Sequence, residues 1–375
     1  MAETRLQVMR KQLGYSAEQV LRMLDQRASA LGITVMARSS LKTKLSRWEN
    51  GHEAVSEPYR RLFREVYGRT NEELGFPPEI DDGDAAELRS RLEIARRVDP
   101  GMVDVFRRQV DDVRRVDRQF GGITLLDQLR SSIKQVEDLL VYSTMTGNRP
   151  TLAGVVTEAS TLAGWEALDR NAIGQSWEHY ERAKSAAREA SSPALLAHAT
   201  AEQAFVLVDI GEVEAAVDQL SHARELAEGA APPLLRSWLA AAHGEGLAAS
   251  GHRDGALQAF DAADALLPAE PVDAELPFLF LGGSHLDRWR GNALSKLGDP
   301  EAIDQLDGAL ANLPDSFVRA RTGLLVDLAF AHAASGDRDA AFSHSKQARR
   351  LASQIKSDRH VRRLSGLILP GSAAA

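Results

Sequence analysis

The 375-residue chain has no cysteine, which excludes disulfides, thiolate chemistry and a zinc finger together. It also lacks any apolar run near the roughly 18 residues that cross a bilayer, so no membrane partner is expected. The opening stretch MAETRLQVMRKQLG carries charges where a signal peptide needs an apolar segment, and a cytoplasmic protein is expected. The Walker phosphate loop, HExxH, GxSxG and GxGxxG are all missing. The ten histidines are scattered, and a pair such as His243 and His252 has no metal-ligand context. The expectation is a protein that is not an enzyme, with no catalytic residue, metal or cofactor.

The composition, 44% hydrophobic and 26% charged, is that of a folded soluble chain of two or three domains. The net charge of −8 argues against nucleic acid, but its distribution does not. Residues 1–69 hold 13 Lys and Arg against 7 Asp and Glu, or +6, and the other 306 hold 32 against 46, or −14. A basic block on an acidic body suits a module that approaches phosphates and releases their counterions.

The local pattern of the block is helical. Leu6, Met9 and Leu13 share one face of a first helix ending at Gly14, and Ser16 with Gln19 forms a capping box for a second that runs to Gly32. Ser39 and Ser40 are candidate N-caps for LKTKLSRWENG, in which Leu41, Leu45 and Trp48 face inward and Gly51 takes the left-handed conformation. Ser56 and Pro58 open a fourth helix, and NEELGF closes the unit near residue 76. Placed by its Glu-Asn-Gly end, the third helix turns Lys42, Thr43, Lys44, Ser46 and Arg47 outward as candidate major-groove contacts, with Arg38 near the DNA backbone.

Arg47-Trp48-Glu49-Asn50-Gly51, after a basic helix and a capped helix pair, resembles the Cro/repressor-like, or xenobiotic-response-element, family of helix-turn-helix regulators. Pro58-Tyr59-Arg60-Arg61-Leu62 and Glu72-Glu73-Leu74-Gly75 resemble its actinobacterial version with a C-terminal tetratricopeptide-like region. The resemblance implies a transcription regulator whose partner is double-stranded DNA. One departure is the stretch from Ala30 to Arg38, longer than the family's turn of roughly 3–4 residues, which points to an extended second helix.

Residues 77–86 read as a linker and 87–150 as a helical connector that could also dimerise. Arg107, Arg108, Asp111, Asp112, Arg114, Arg115 and Arg118 read as a solvated helix face. Leu126, Leu129, Ile133, Val136 and Leu140 make a two-heptad seam that either packs within the chain or zips a homodimer.

From about residue 151 to 369 the chain repeats itself, leaving 370–375 as a tail. Gly174, Gly211, Gly251, Gly298 and Gly336 recur at 37, 40, 47 and 38 residues, followed by Ala186, Ala223, Ala263, Ala309 and Ala348. This resembles tetratricopeptide repeats, so the expected class is all-α: a helix-turn-helix domain followed by an α-solenoid of helix pairs. The long step contains LLPAEPVDAELPFLFLGGS, an insertion, and Leu364, Leu367, Ile368 and Leu369 are expected to cap the last apolar face.

Counting back 13, 9 and 6 residues from each glycine selects the solenoid's inner wall. It gives Trp165, Leu168, His198, Glu202, Phe205, Trp238, Glu245, His285, Trp289, Asn292, Asp327 and Phe330. Aromatics with histidines and carboxylates suit a small-molecule or peptide effector carrying hydrogen-bond donors or an amine, and they equally suit packing between helices. Resemblance to peptide-pheromone receptors of Gram-positive bacteria suggests that an effector changes the spacing of two DNA-binding domains. The rival is an adaptor whose repeats bind another protein without direct DNA regulation.

Overall fold

The computed structural model describes residues 3–77, 83–121, 125–144, 148–273, 275–279, 281–282 and 284–371. Among them the chain forms nineteen helices and no strand. Its contacts divide it into Met1–Leu88 and Arg89–Ala375. Residues 78–82 of the expected linker, and 372–375 of the tail, lie outside the described residues.

The first unit holds α1 (Arg5–Gln12), α2 (Ala17–Leu31), α3 (Arg38–Glu49), α4 (Glu57–Tyr67) and the short α5 (Asn71–Leu74). Ser16 and Gln19 satisfy each other's backbone donors at the start of α2, and Thr70 with Glu73 does the same for α5. The second helix is not extended beyond its sequence-defined end: Gly32 stops α2 in the left-handed conformation. Residues 32–37 then lead to α3, anchored where the Met36 N–H donates to the Tyr59 hydroxyl at 2.9 Å. The expected serine caps are not used. Helix α3 starts at Arg38 behind Ala37, without a side-chain cap, so Ser39 and Ser40 lie inside its first turn. Leu41, Leu45 and Trp48 pack with Val20, Leu24 and Phe63 in one core.

The second unit is built from consecutive helix pairs. After α6 (Gly83–Arg96), the helices α7 (Pro100–Phe120), α9 (Arg149–Asp169), α11 (Pro193–Ile210), α13 (Pro233–Ala249), α15 (Ser284–Lys296) and α17 (Val318–Ala334) each touch the next in this series. Their partners are α8 (Leu125–Tyr142), α10 (Ile173–Glu189), α12 (Val213–Ala227), α14 (Arg253–Leu266), α16 (Glu301–Asn312) and α18 (Arg338–Ile355). Helix α7 also packs on α17, so the inner series returns to its start and closes into a ring.

Small residues permit this pairing. A Cβ on Gly164, Gly244 or Gly291 of an inner helix would stand 2.8 Å from Tyr180, Phe260 or Leu306 of its outer partner. The alanines selected by the repeat are all buried. Four of the five register glycines end an inner helix with positive φ, but Gly174 does not; Asn171, at φ 56°, makes that turn. Asparagine tolerates this region because its short polar side chain bonds locally.

The heptad seam of α8 is spent inside the unit. Leu126, Leu129, Ile133, Val136 and Leu140 are all buried, in a core shared with α7 and α9, and are not free to zip a dimer. Of the residues expected to cap the stack, Leu364 is buried and Ile368 is 85% exposed. Helix α19 (Asp358–Ser365) instead packs on α9, α17 and α18.

Candidate functional site

Two features bear on function, one in each unit. On α3, Arg38, Lys42, Thr43, Ser46 and Arg47 are exposed and Lys44 is half-buried. The residues beside them fix the helix. Trp48 packs on Tyr59 and Phe63, with ring centroids 4.9 and 6.0 Å away. Glu49 is buried and takes a two-pronged ion pair from Arg10 of α1, at 2.6 and 2.8 Å. The Asn50 side chain donates to the Ser46 carbonyl at 2.6 Å. Gly51, at φ 72°, lets the chain turn away. Arg38 pairs with Glu18, and Lys44 and Arg47 both face Glu53, Arg47 at 3.3 Å. Lys44 foremost, with Arg47, holds the half-buried Glu53 carboxyl below its usual range.

In the second unit a cavity of about 520 Å³ lies within the ring, inside the range typical of small-molecule sites. Nine of the ten wall residues put forward as ligand-binding line it: Trp165, His198, Glu202, Trp238, Glu245, His285, Trp289, Asn292 and Asp327. Phe205 joins them, and Leu168 lies in the core. Phe330 is absent from the lining and packs against the cluster of Val326, Ala348 and Leu364. Three residues past Asp327, Phe330 is offset from it by about 60° around the helix, on the side that meets α18 and α19.

The aromatic wall is continuous. The rings of Trp238 and Trp289 lie 5.5 Å apart, Phe205 sits 6.1 Å from Trp289, and His198 is 4.9 Å from Trp238. Phe278, from the insertion between α14 and α15, lies 4.2 Å from His198.

The sequence register missed the arginines. Arg114 and Arg118 come from α7, Arg288 from α15, Arg319 from α17, and Arg359, Arg362 and Arg363 from α19. Helices α7 and α19 lie outside the counted repeat. A usable signal existed in α7, because Arg114, Asp117 and Arg118 continue the stripe of Phe106, Val110 and Val113 at three- and four-residue steps. Arg114 is buried rather than part of a solvated face, and Asp117 is buried with it. Arg288 shares the stripe of His285, Trp289 and Asn292 but falls between the counted positions.

Most of these cations are matched. Arg319 is buried among Asp117 of α7 and Asp169 and Glu166 of α9. Arg359 grips Asp209 at 2.5 and 2.7 Å, Arg363 pairs with Asp327 at 2.7 Å, and Lys296 with Glu245 at 2.8 Å. Arg114 reaches Glu158 at 3.3 Å. Arg288 differs: its Nε is buried without a hydrogen-bond partner, as is Asn292 Oδ1. Burial draws the Arg288 pKa down, opposed by Asp327 and Glu245.

The cavity histidines His198, His285 and His360 carry no charge near neutral pH. Burial, then Arg114, pushes His198 down to about 3, and burial, then Arg288 and Arg118, brings His285 to about 4. Burial raises Glu202 to about 7 against the opposing Tyr180 hydroxyl and Arg359. The 3.7 Å approach of His198 to Glu202 is thus no ion pair, and it is too long for a hydrogen bond. Among the described residues no group of three or more His, Asp or Glu is arranged to hold a metal ion, and no helix is long and apolar enough to cross a membrane. Comparison with protein-family models and with curated proteins finds no match to this chain.

Proposed function

We propose that this chain is a sequence-specific DNA-binding transcription regulator, a homodimer on double-stranded DNA whose second unit takes a small effector. The observation that carries the reading is the division of α3. Leu41, Leu45 and Trp48 are locked in the core while Lys42, Thr43, Ser46 and Arg47 line the open face. A single anchored helix fits a major groove, where arginine or lysine pairs with guanine and threonine meets a thymine methyl. The +6 charge of residues 1–69, from 13 basic and 7 acidic residues, supplies the attraction to phosphate. Arg38 and Lys44 exchange their carboxylate partners for phosphates. The cavity volume favours a small molecule as the effector over a long peptide.

Selection of bound duplexes from a random pool tests this directly, and failure to enrich any sequence overturns it. On the selected duplex, Arg47→Ala lowers affinity by about 1–3 kcal/mol and relaxes preference at one base pair. Lys44→Ala weakens all sequences alike and flattens the salt dependence. Unchanged affinity in Arg47→Ala removes this residue from base reading.

One short helix reads too few base pairs to choose a site in a genome, so the selected sequence contains two half-sites about 34 Å, or a multiple of that, apart. Light scattering on the complex gives two copies of the 40.8 kDa chain. A monomer at micromolar concentration, both free and on DNA, excludes this arrangement.

A further inference from the structure

The wall of histidines and carboxylates suggests an amine, but apart from Glu202, which burial raises to about 7 and which accepts from the Tyr180 hydroxyl, its carboxylates are occupied. Asp117, Asp209, Glu245 and Asp327 each face a cation supplied by the protein. An ammonium ligand would have to displace an arginine or lysine already in place. The histidines add no acceptor charge, since burial keeps them neutral.

Arg288 is the opposite case. Among the described residues its guanidinium makes no hydrogen bond or ion pair, and its Nε is shut away from solvent. A guanidinium with its Nε buried and unbonded, and with no carboxylate at ion-pair distance, is a costly arrangement, relieved when an anion arrives with its own lone pairs. One turn further along the same stripe, Asn292 Oδ1 is a buried acceptor without a donor. Trp289 stands between them in sequence, with Trp238 5.5 Å away.

We propose that the cavity binds an organic anion with a flat apolar body, its carboxylate or phosphate on Arg288, a donor group on Asn292 and its rings against Trp238 and Trp289. The inference rests on reading the second unit as the effector-binding part and names the chemistry of that effector. The guanidinium fork favours a planar, two-oxygen headgroup. The two indole faces provide area for fused rings.

The test uses the full chain and three ring-matched probes: anthracene-2-carboxylate, its neutral carboxamide and the cationic anthracen-2-ylmethylammonium. Calorimetric titration at pH 7 is expected to rank them in that order, with the carboxylate about tenfold or more tighter than the carboxamide. Arg288→Met removes the preference while leaving carboxamide binding near wild type, and Arg288→Lys keeps part of it. A thermal melt establishes that each variant is folded. Equal binding of all three probes, preference for the ammonium, no binding at all, or a carboxylate preference that survives in Arg288→Met overturns the proposal. Operator affinity is measured in the same samples. An anion that binds through Arg288 without changing operator affinity upholds the ligand class and sinks the sensing role. Cell extract that shifts operator affinity, with no probe bound, does the reverse.

Discussion

Replacing Arg319 with Met is expected to destabilise the second unit by about 3–5 kcal/mol, the usual result of stripping one partner from a buried ion cluster. Arg319 lies on the last inner helix and reaches Asp117 on the first and Glu166 and Asp169 on the second, so it fastens the ends of the ring. Without it three carboxyl groups stay buried. Asp169 retains the Ser357 hydroxyl, at 2.6 Å, and the more remote charge of Arg359. Glu166, its pKa already raised well above the usual range by burial despite Arg319, loses the cation that opposes that rise. Neighbouring packing depends on the same closure. The end of α7 comes so near α18 that a Cβ on Gly121 would stand 2.3 Å from the Ile355 carbonyl. Calorimetry should register the loss as a fall in Tm of roughly 10 °C. A double-mutant cycle with Asp117→Asn should show strong coupling, because the single changes remove the same contact. A melting temperature within a degree or two of wild type would mean that the apolar ring contacts suffice without the arginine.

The second large effect depends on pH. Glu202 holds its proton up to about 7 in the folded protein, against 4.5 for the unperturbed group. Between those values the folded state binds more protons than the unfolded chain, so this group's stabilising contribution falls as pH rises through the window. Glu202→Gln keeps an uncharged side chain and a hydrogen-bonding oxygen for the Tyr180 hydroxyl, 3.3 Å away in the wild type. The difference in stability between variant and wild type should therefore be small at pH 4 and grow to on the order of 3 kcal/mol in favour of Gln by pH 8. Taking the difference matters, because His198 and His285 have depressed pKa values and give the opposite slope in both proteins. Tyr180, Arg359 and Glu245 also act on Glu202 and are common to both. Denaturant titrations at several pH values read the curve. A difference that stays flat from pH 5 to 8 would show that Glu202 is ionised throughout.

The two units were legible in the sequence to different depths. In the first, a capping box, a left-handed glycine and the three-four spacing of Leu41, Leu45 and Trp48 marked out four helices and the exposed side of α3. These are local effects, satisfied within a turn or two of chain. The start of α3 escaped because Ser39 and Ser40 are good caps that the six-residue connector, tied to Tyr59, does not bring to the cap position.

In the second unit the glycine and alanine register placed Trp165, His198, Glu202, Trp238, Glu245, His285, Trp289, Asn292 and Asp327 on one wall, and that wall is continuous. A repeat can do this because each helix pair packs on its neighbour by the same rule. Nothing in the repeat tells where the stack ends or whether it closes. Closure came from α7 and α19, which belong to no repeat, and from ion pairs such as Arg319 with Asp117, 202 residues apart in sequence. The charge of the cavity was decided there too. Composition supplies both signs in quantity, but only tertiary contact determines that Asp117, Asp209, Glu245 and Asp327 are already matched and that Arg288 is not.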